Sequence, residues 1–241
     1  PVLENQRLYL HFGAFGNACI DTQSHEIIWK NNQPDLWVMH ENGPGSSPII
    51  WQDLMIFHLD GSDRQSVVAL YKDTGKIAWQ TKRSGEMRDN PQFQKSYSTP
   101  IIAQSMGRPT LISCAADWVY GYDPANGMEL WKIKYGILGF SNVARPVLGH
   151  GMFFISTCFM KGEIHAYRYE GLEVPKLVWK MTKAAPKIPS PTLIGNELYV
   201  INDGGILSCM DALSGELHWR ERLDGEFSAS PIYANGLLYL S

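Results

Sequence analysis

The chain has 241 residues, 44% of them hydrophobic and 12% aromatic, so it carries ample apolar material for a sizeable core; only 19% are charged. A net charge of -3, a pI near 6.2 and the absence of any Lys/Arg cluster exclude the electrostatic footprint of a nucleic-acid binder. No apolar run approaches the roughly 18 to 20 residues that span a bilayer.

Length alone suggests one or two domains, but a repeat makes the chain one continuous array. Trp29, Trp79, Trp131, Trp179 and Trp219 recur at intervals of 50, 52, 48 and 40 residues. A second marker keeps step: Pro1, Pro48, Pro100, Pro146, Pro191 and Pro231, preceded by Ser47, Thr99, Ser190 and Ser230, with Arg145 the exception. The repeats therefore run approximately 1–47, 48–99, 100–145, 146–190 and 191–230, with 231–241 a partial sixth.

In chain order, each unit reads as four short strands. Pro opens the first, where its missing N–H removes no central ladder bond. Arg7 to Leu10, Leu54 to Phe57, Met152 to Ile155, Glu197 to Val200 and Leu237 to Leu240 are rich in β formers and make the second. The third ends at an Asp, as at Asp21, Asp123 and Asp211, with Tyr71 in its place in the second copy. A tight turn follows, in which Asp accepts local backbone hydrogen bonds and Gly75, Gly127 or Gly215 takes a positive φ, His25 holding that place in the first copy. The fourth strand carries the Trp. Four antiparallel strands per repeat cannot bury both faces alone, so copies stack, and radial stacking gives an all-β propeller.

The stretch Asp211-Ala212-Leu213-Ser214-Gly215-Glu216-Leu217-His218-Trp219, echoed at Asp73 to Trp79, resembles the tryptophan-docking motif of the pyrroloquinoline-quinone (PQQ)-like propeller repeats. That family includes quinoprotein alcohol dehydrogenases and the assembly lipoprotein BamB, and the resemblance covers the whole chain. It implies seven or eight blades, so five units and one hairpin read as an incomplete array. It implies structural docking roles for Trp29, Trp79, Trp131, Trp179, Trp219, Gly75, Gly127 and Gly215. It also implies a periplasmic or otherwise exported protein, with any peripheral membrane attachment made through regions outside this sequence.

The four cysteines lie in different copies, and Cys19 and Cys209 share a slot that holds Ala69 and Gly121 elsewhere. A slot accepting Cys, Ala or Gly is a small packing position, so the thiols are expected buried and free. No metal-spaced set of ligands stands out. The dehydrogenases of the resembled family place adjacent cysteines over PQQ and bring Glu, Asn and Asp to Ca²⁺. This chain has no Cys-Cys pair, and Glu41, Asn42, Asp117 and Asn142 show no distinguishing spacing. The expectation is a non-catalytic binding or assembly scaffold without cofactor; a quinoprotein dehydrogenase with PQQ and Ca²⁺ and a carbohydrate or peptide recognition module are the alternatives.

An antiparallel meander puts the 2–3 loops and the connections to the next repeat on one face, and the long insertions are of that second kind. Loops are where scaffolds carry function, whereas solvated loops are polar in any case. The expected binding face, for a protein or small-molecule ligand, comprises His40, Glu41, Asn42, Asp60, Asp63, Glu86, Arg88, Asp117, Trp118, Asn142, Arg145, Asn202 and Asp203, with Trp118 as an exposed aromatic anchor. The opposite face, built of short Asp-x-x-x-Gly turns, is expected to be too uniform for a site.

Overall fold

In the computed structural model, residues 1–39, 43, 45–105, 107–136, 139–157, 160–171 and 173–241 are described. They form five four-stranded antiparallel sheets and one two-stranded sheet, each with its strands in sequence order. The first holds β1 (Val2–Glu4), β2 (Arg7–His11), β3 (Asn17–Asp21) and β4 (Ile27–Asn31). The second holds β5 (Ile49–Trp51), β6 (Leu54–Asp60), β7 (Gln65–Tyr71) and β8 (Ile77–Lys82). The third holds β9 (Ile101–Ser105), β10 (Arg108–Cys114), β11 (Trp118–Tyr122) and β12 (Glu129–Lys134). The fourth holds β13 (Val147–Gly149), β14 (Met152–Ser156), β15 (Ile164–Arg168) and β16 (Lys176–Met181). The fifth holds β17 (Thr192–Ile194), β18 (Glu197–Ile201), β19 (Ile206–Asp211) and β20 (Leu217–Arg222), and β21 (Ile232–Ala234) pairs with β22 (Leu237–Tyr239). Each first strand starts one residue after its repeat proline, so the proline nitrogen falls outside the ladder.

The sheets stack face to face, and their cores lie between them. Tyr9 and Cys19 of the first sheet pack with Phe57, Leu59, Val68 and Leu70 of the second. Ile56, Val67 and Ala69 pack with Leu111, Tyr120 and Tyr122. Successive first strands lie side by side, as β1 beside β5, β13 beside β17 and β17 beside β21, which places them at the inner edge.

At three of the repeat prolines the preceding residue ties one sheet to the next. The Ser47 N–H donates to Thr99 Oγ1, Arg145 N–H to Ser190 Oγ and Ser190 N–H to Ser230 Oγ, each at 2.9 Å. Thus the Ser/Thr preference at this place reflects hydrogen bonds between neighbouring sheets.

One irregularity recurs. Every pairing of a third with a fourth strand shifts register directly after the residue opposite the repeat Trp, at Cys19/Ile20, Ala69/Leu70, Gly121/Tyr122, Ala166/Tyr167 and Cys209/Met210. The extra residue is a β-bulge, which re-aims the side chain beside it. The slot of Cys, Ala or Gly is small because it sits directly opposite the Trp. Cys19, Cys114 and Cys209 are buried free thiols, and Cys158 lies outside the described residues.

Three tryptophans use the next sheet in the same way. Trp29 Nε1 donates to Lys72 O at 2.8 Å, Trp79 Nε1 to Pro124 O at 3.1 Å and Trp179 Nε1 to Ala212 O at 2.9 Å. Three residues on, Gly75, Gly127 and Gly215 lie at φ +68°, +73° and +75°, with the indole where a Cβ would otherwise stand. Trp131 faces Gly121 and stacks on Phe153, and Trp219 packs edge-on to Tyr199 while 39% exposed.

Candidate loop-face site

Asp60, Glu86, Arg88, Asp117 and Trp118 lie along the seam between the second and third sheets, where the connection after β8 crosses the 2–3 loop of the third sheet. Arg88 donates from Nε to Asp117 Oδ2 at 2.7 Å and from Nη2 to Asp117 Oδ1 at 3.1 Å. The Gly139 N–H also donates to Asp117 Oδ1, at 2.8 Å. Asp117 is buried and lies at φ +62°, a backbone region that Asp tolerates better than most residues. The Arg88 guanidinium lies over the Phe93 and Phe140 rings, 5.5 and 5.8 Å from their centroids.

Glu86, Met87, Arg88, Asp89, Asp117 and Lys134 line an open cavity of about 330 Å³. Trp118 stands beside it without being the exposed anchor expected from sequence. Its Nε1 donates to Glu86 O at 3.1 Å, and the ammonium groups of Lys132 and Lys134 lie 5.8 and 5.4 Å from its ring. Half-buried under two lysines, Trp118 holds the loop down. The exposed indole on this face is that of Trp37, 43% exposed.

Asp60 is a second correction. It sits at a strand end, yet it is fully buried and paired with Arg83, whose Nε and Nη2 donate to Oδ1 and Oδ2 at 3.0 and 2.6 Å. Arg83 Nη1 donates to Ser113 Oγ at 2.6 Å, and the guanidinium lies over Tyr120 and Tyr122. Burial alone favours loss of the Arg83 proton, but the attraction of Asp60 outweighs it and raises the pKa further. Ser113 Oγ is also 2.7 Å from His58 Nε2. Since arginine can only donate, Ser113 Oγ accepts from Arg83, and the direction of its hydrogen bond with His58 follows the imidazole tautomer.

Ser113, His58 and Asp60 thus occur in the order of a hydrolytic triad but cannot act as one. His58 Nδ1 is 3.9 Å from Asp60 Oδ2, the carboxylate is held by Arg83, and Ser113 is fully buried. Burial first, and the Arg83 charge second, hold the His58 pKa well below its usual value. An unfolded chain protonates this histidine near ~6.5 while the folded one does not. Stability is therefore intact above that pH and falls as pH drops below it, toward the depressed folded value. Melting temperatures measured between pH 7.5 and 5 should decline (~6.5 being the onset), and His58→Gln should reduce the slope; an unchanged slope would remove His58 from the account.

The remaining candidates are placed apart. Asp63 Oδ1 accepts from the Met39 N–H at 2.7 Å and so fastens the connection after β4. Asn142 is buried, with Nδ2 donating to Ala115 O at 3.0 Å. Asn202 Oδ1 accepts from the Gly204 and Ile206 N–H groups, and Asp203 Oδ2 from that of Lys187. Arg145 is exposed. His40, Glu41 and Asn42 lie outside the described residues. Sequence reasoning missed Arg83 and the two lysines over Trp118, because partners 23 and 14 or more positions away carry no local signal.

A Ca²⁺ and PQQ site needs free carboxylate and amide oxygens converging on one point. Here Asp60 and Asp117 are each committed to an arginine, and among the described residues no three His, Cys, Asp or Glu side chains are grouped to hold a metal. Of the four residues named as ligand candidates, Glu41 and Asn42 lie outside the described residues.

The comparisons with known proteins agree with the fold. No curated protein matches the sequence. The chain is similar in structure to BamB from Moraxella catarrhalis, with a TM-score of 0.56 at 13% identity over 98% of this chain and 78% of that one. It is also similar to the computationally designed Ika8 protein (TM-score 0.68, 12% identity, 98% and 65% covered). A europium-containing methanol dehydrogenase follows (TM-score 0.54, 10% identity, 96% and 69% covered). A family model described as outer membrane protein assembly factor BamB matches residues 1–157 and 115–241. With sheets, repeat and family model in agreement, the chain belongs to that BamB family of PQQ-like repeat β-propellers.

Proposed function

We propose that this propeller is a non-catalytic binding or assembly scaffold whose long-loop face receives a partner protein. The observation that supports it is a division of labour on that face: two of its carboxylates pair inward, while large apolar side chains stay outside. Asp60 and Asp117 are consumed by Arg83 and Arg88. Phe12 and Phe15 in the 2–3 loop of the first sheet, and Trp37 and Met39 in the following connection, are 43 to 88% exposed. Aromatic side chains on an accessible surface concentrate binding energy at protein interfaces. Arg145, Glu86 and the half-buried Trp118 belong to the same proposed surface.

A photo-crosslinking side chain at Trp37 or Phe15 should give a discrete adduct in the source cell, and one at Lys76 or Glu216 on the turn face should not. Adducts from the turn face alone would assign the surface wrongly. An exported location is part of this reading, supported by the family's description as an outer membrane assembly factor. No described helix is long and apolar enough to cross a membrane.

The scaffold reading also excludes PQQ as a ligand. Calorimetric titration with PQQ and Ca²⁺ should show no saturable heat; a stoichiometric heat would favour a dehydrogenase instead.

A further inference from the structure

At the turn-face end of the first two seams, the rung formed by the ends of strands one, two and three of one sheet meets the turn between strands three and four of the next. In the first seam the rung is Glu4, Arg7 and Asp21, joined across strands as Glu4↔Arg7 and Arg7↔Asp21. The facing wall is Lys72 and Asp73. Lys72 Nζ donates to Glu4 Oε2 at 2.8 Å, and Arg7 Nη1 to Asp73 Oδ1 at 2.5 Å. Two ion pairs therefore close that end.

In the second seam both walls change. The rung becomes Trp51, Leu54 and Tyr71, again in register as Trp51↔Leu54 and Leu54↔Tyr71. The docking bonds of Trp29 and Trp79 make Pro124 and Ala125 the equivalents of Lys72 and Asp73, and neither has a charged side chain. No pair spans the gap. A slot of about 330 Å³ remains, lined by Trp51, Gln52, Asp53, Leu54, Tyr71, Trp79, Ala125 and Asn126, with Ala78 beside them. Tyr71, where three other copies carry Asp, is 50% exposed, and Trp51 packs on the core between the sheets.

We propose that this slot is a binding site for a neutral sugar unit of a glycan. Two aromatic side chains on one face of one sheet offer flat apolar surface to the C–H face of a pyranose. Gln52 and Asp53 bring an amide and a carboxylate, which accept from and donate to vicinal hydroxyls, and Asn126, whose Oδ1 accepts from the Met128 N–H and one of whose two amide hydrogens goes to Asp123, adds a second amide hydrogen. No cation lines the slot, and its one formal charge is the carboxylate of Asp53, so acidic ligands are disfavoured. A concave site of this size with few polar groups suits a small ligand. The site is on the face opposite the loop surface and does not depend on the scaffold reading.

The test is titration of the protein with cellobiose, maltose, lactose and diacetylchitobiose, and with a short proline-rich peptide, followed by the indole N–H resonances of Trp51 and Trp79. At least one disaccharide should give saturable shifts. Tyr71→Asp, which restores the residue of three other copies, and Trp51→Ala should each weaken it at least about tenfold, a loss of 1.4 kcal/mol, while Lys183→Ala, at an exposed position in the connection after β16, leaves it unchanged. The proposal is overturned by the absence of saturable shifts with every sugar, by shifts from the peptide alone, or by sugar binding that survives both substitutions.

Discussion

Asp60→Ala is expected to lower stability by about 3 to 5 kcal/mol, the cost of leaving a buried charge without its partner. Arg83 is the charge left behind: fully buried, bidentate to Asp60, and stacked over Tyr120 and Tyr122 of the adjacent sheet. Asp60 and Arg83 both belong to the second repeat, and Arg83 carries the pair across to Ser113 of the third sheet, so its loss loosens the seam rather than one strand. The arithmetic also predicts what does not happen. Asp60→Leu combined with Arg83→Met should recover most of the loss, since replacing both partners by apolar groups of similar bulk is often neutral or stabilising. Chemical denaturation of the two variants separates the ideas. If Asp60→Ala unfolds with the wild type, water reaches the pair and the seam is not dry; if the double variant is as unstable as the single one, shape rather than charge holds the seam.

The fold was legible because its markers obey local rules repeated five times. Asp21 and Asp211 each accept two backbone N–H groups of their own turn, which also holds both carboxyls below their usual pKa. Gly at the end of that turn and Pro before strand one are equally local, so sequence spacing alone reveals them. The shared slot of Cys19, Ala69, Gly121 and Cys209 was readable as small, and its cause, a tryptophan directly across the ladder, became visible only with register.

The loop face was legible as a place and not as a chemistry. Asp60, at the end of a strand, reads like any solvated carboxylate, and only Arg83 from the following connection turns it into a core ion pair. Trp118 reads as free because Lys132 and Lys134 cover it from the other end of the hairpin, where β11 and β12 are in register. Conversely, the exposed apolar groups Phe12 and Phe15 sit in a short loop whose length gave no reason to single it out. The expectation that the turn face is uniform also rested on the repeat itself. Comparing Glu4, Arg7 and Asp21 with Trp51, Leu54 and Tyr71 shows how two departures from a repeat, each unremarkable alone, change one seam end when register aligns them.

Trp131→Ala should cost about 3 to 5 kcal/mol, the range for emptying a large aromatic site in a core. Trp131 is 4% exposed, joins Ile112, Val119 and Phe153 in the cluster between the third and fourth sheets, and stacks on Phe153 with ring centroids 5.9 Å apart. It differs from Trp29, Trp79 and Trp179 in how it is seated. In the fourth sheet the register puts Arg168 where Asp21, Asp123 and Asp211 stand, the turn to the fourth strand is longer, and Pro175 falls where Gly75, Gly127 and Gly215 stand, so no glycine lies at the place an indole covers in the other seams. The ring instead sinks toward its own sheet, and a Cβ on Gly121 would lie 2.2 Å from Trp131 Cε2. Other sheets hold Cys or Ala opposite their tryptophans. Gly121→Ala should therefore destabilise the wild type by about 1 to 3 kcal/mol through overpacking and should cost almost nothing in the Trp131→Ala background. A double-mutant cycle on the melting free energies reads this coupling directly. Additive losses would mean that the ring can move aside without cost. A protein in which Trp131→Ala melts with the wild type would show that this indole contributes nothing to holding the third and fourth sheets together.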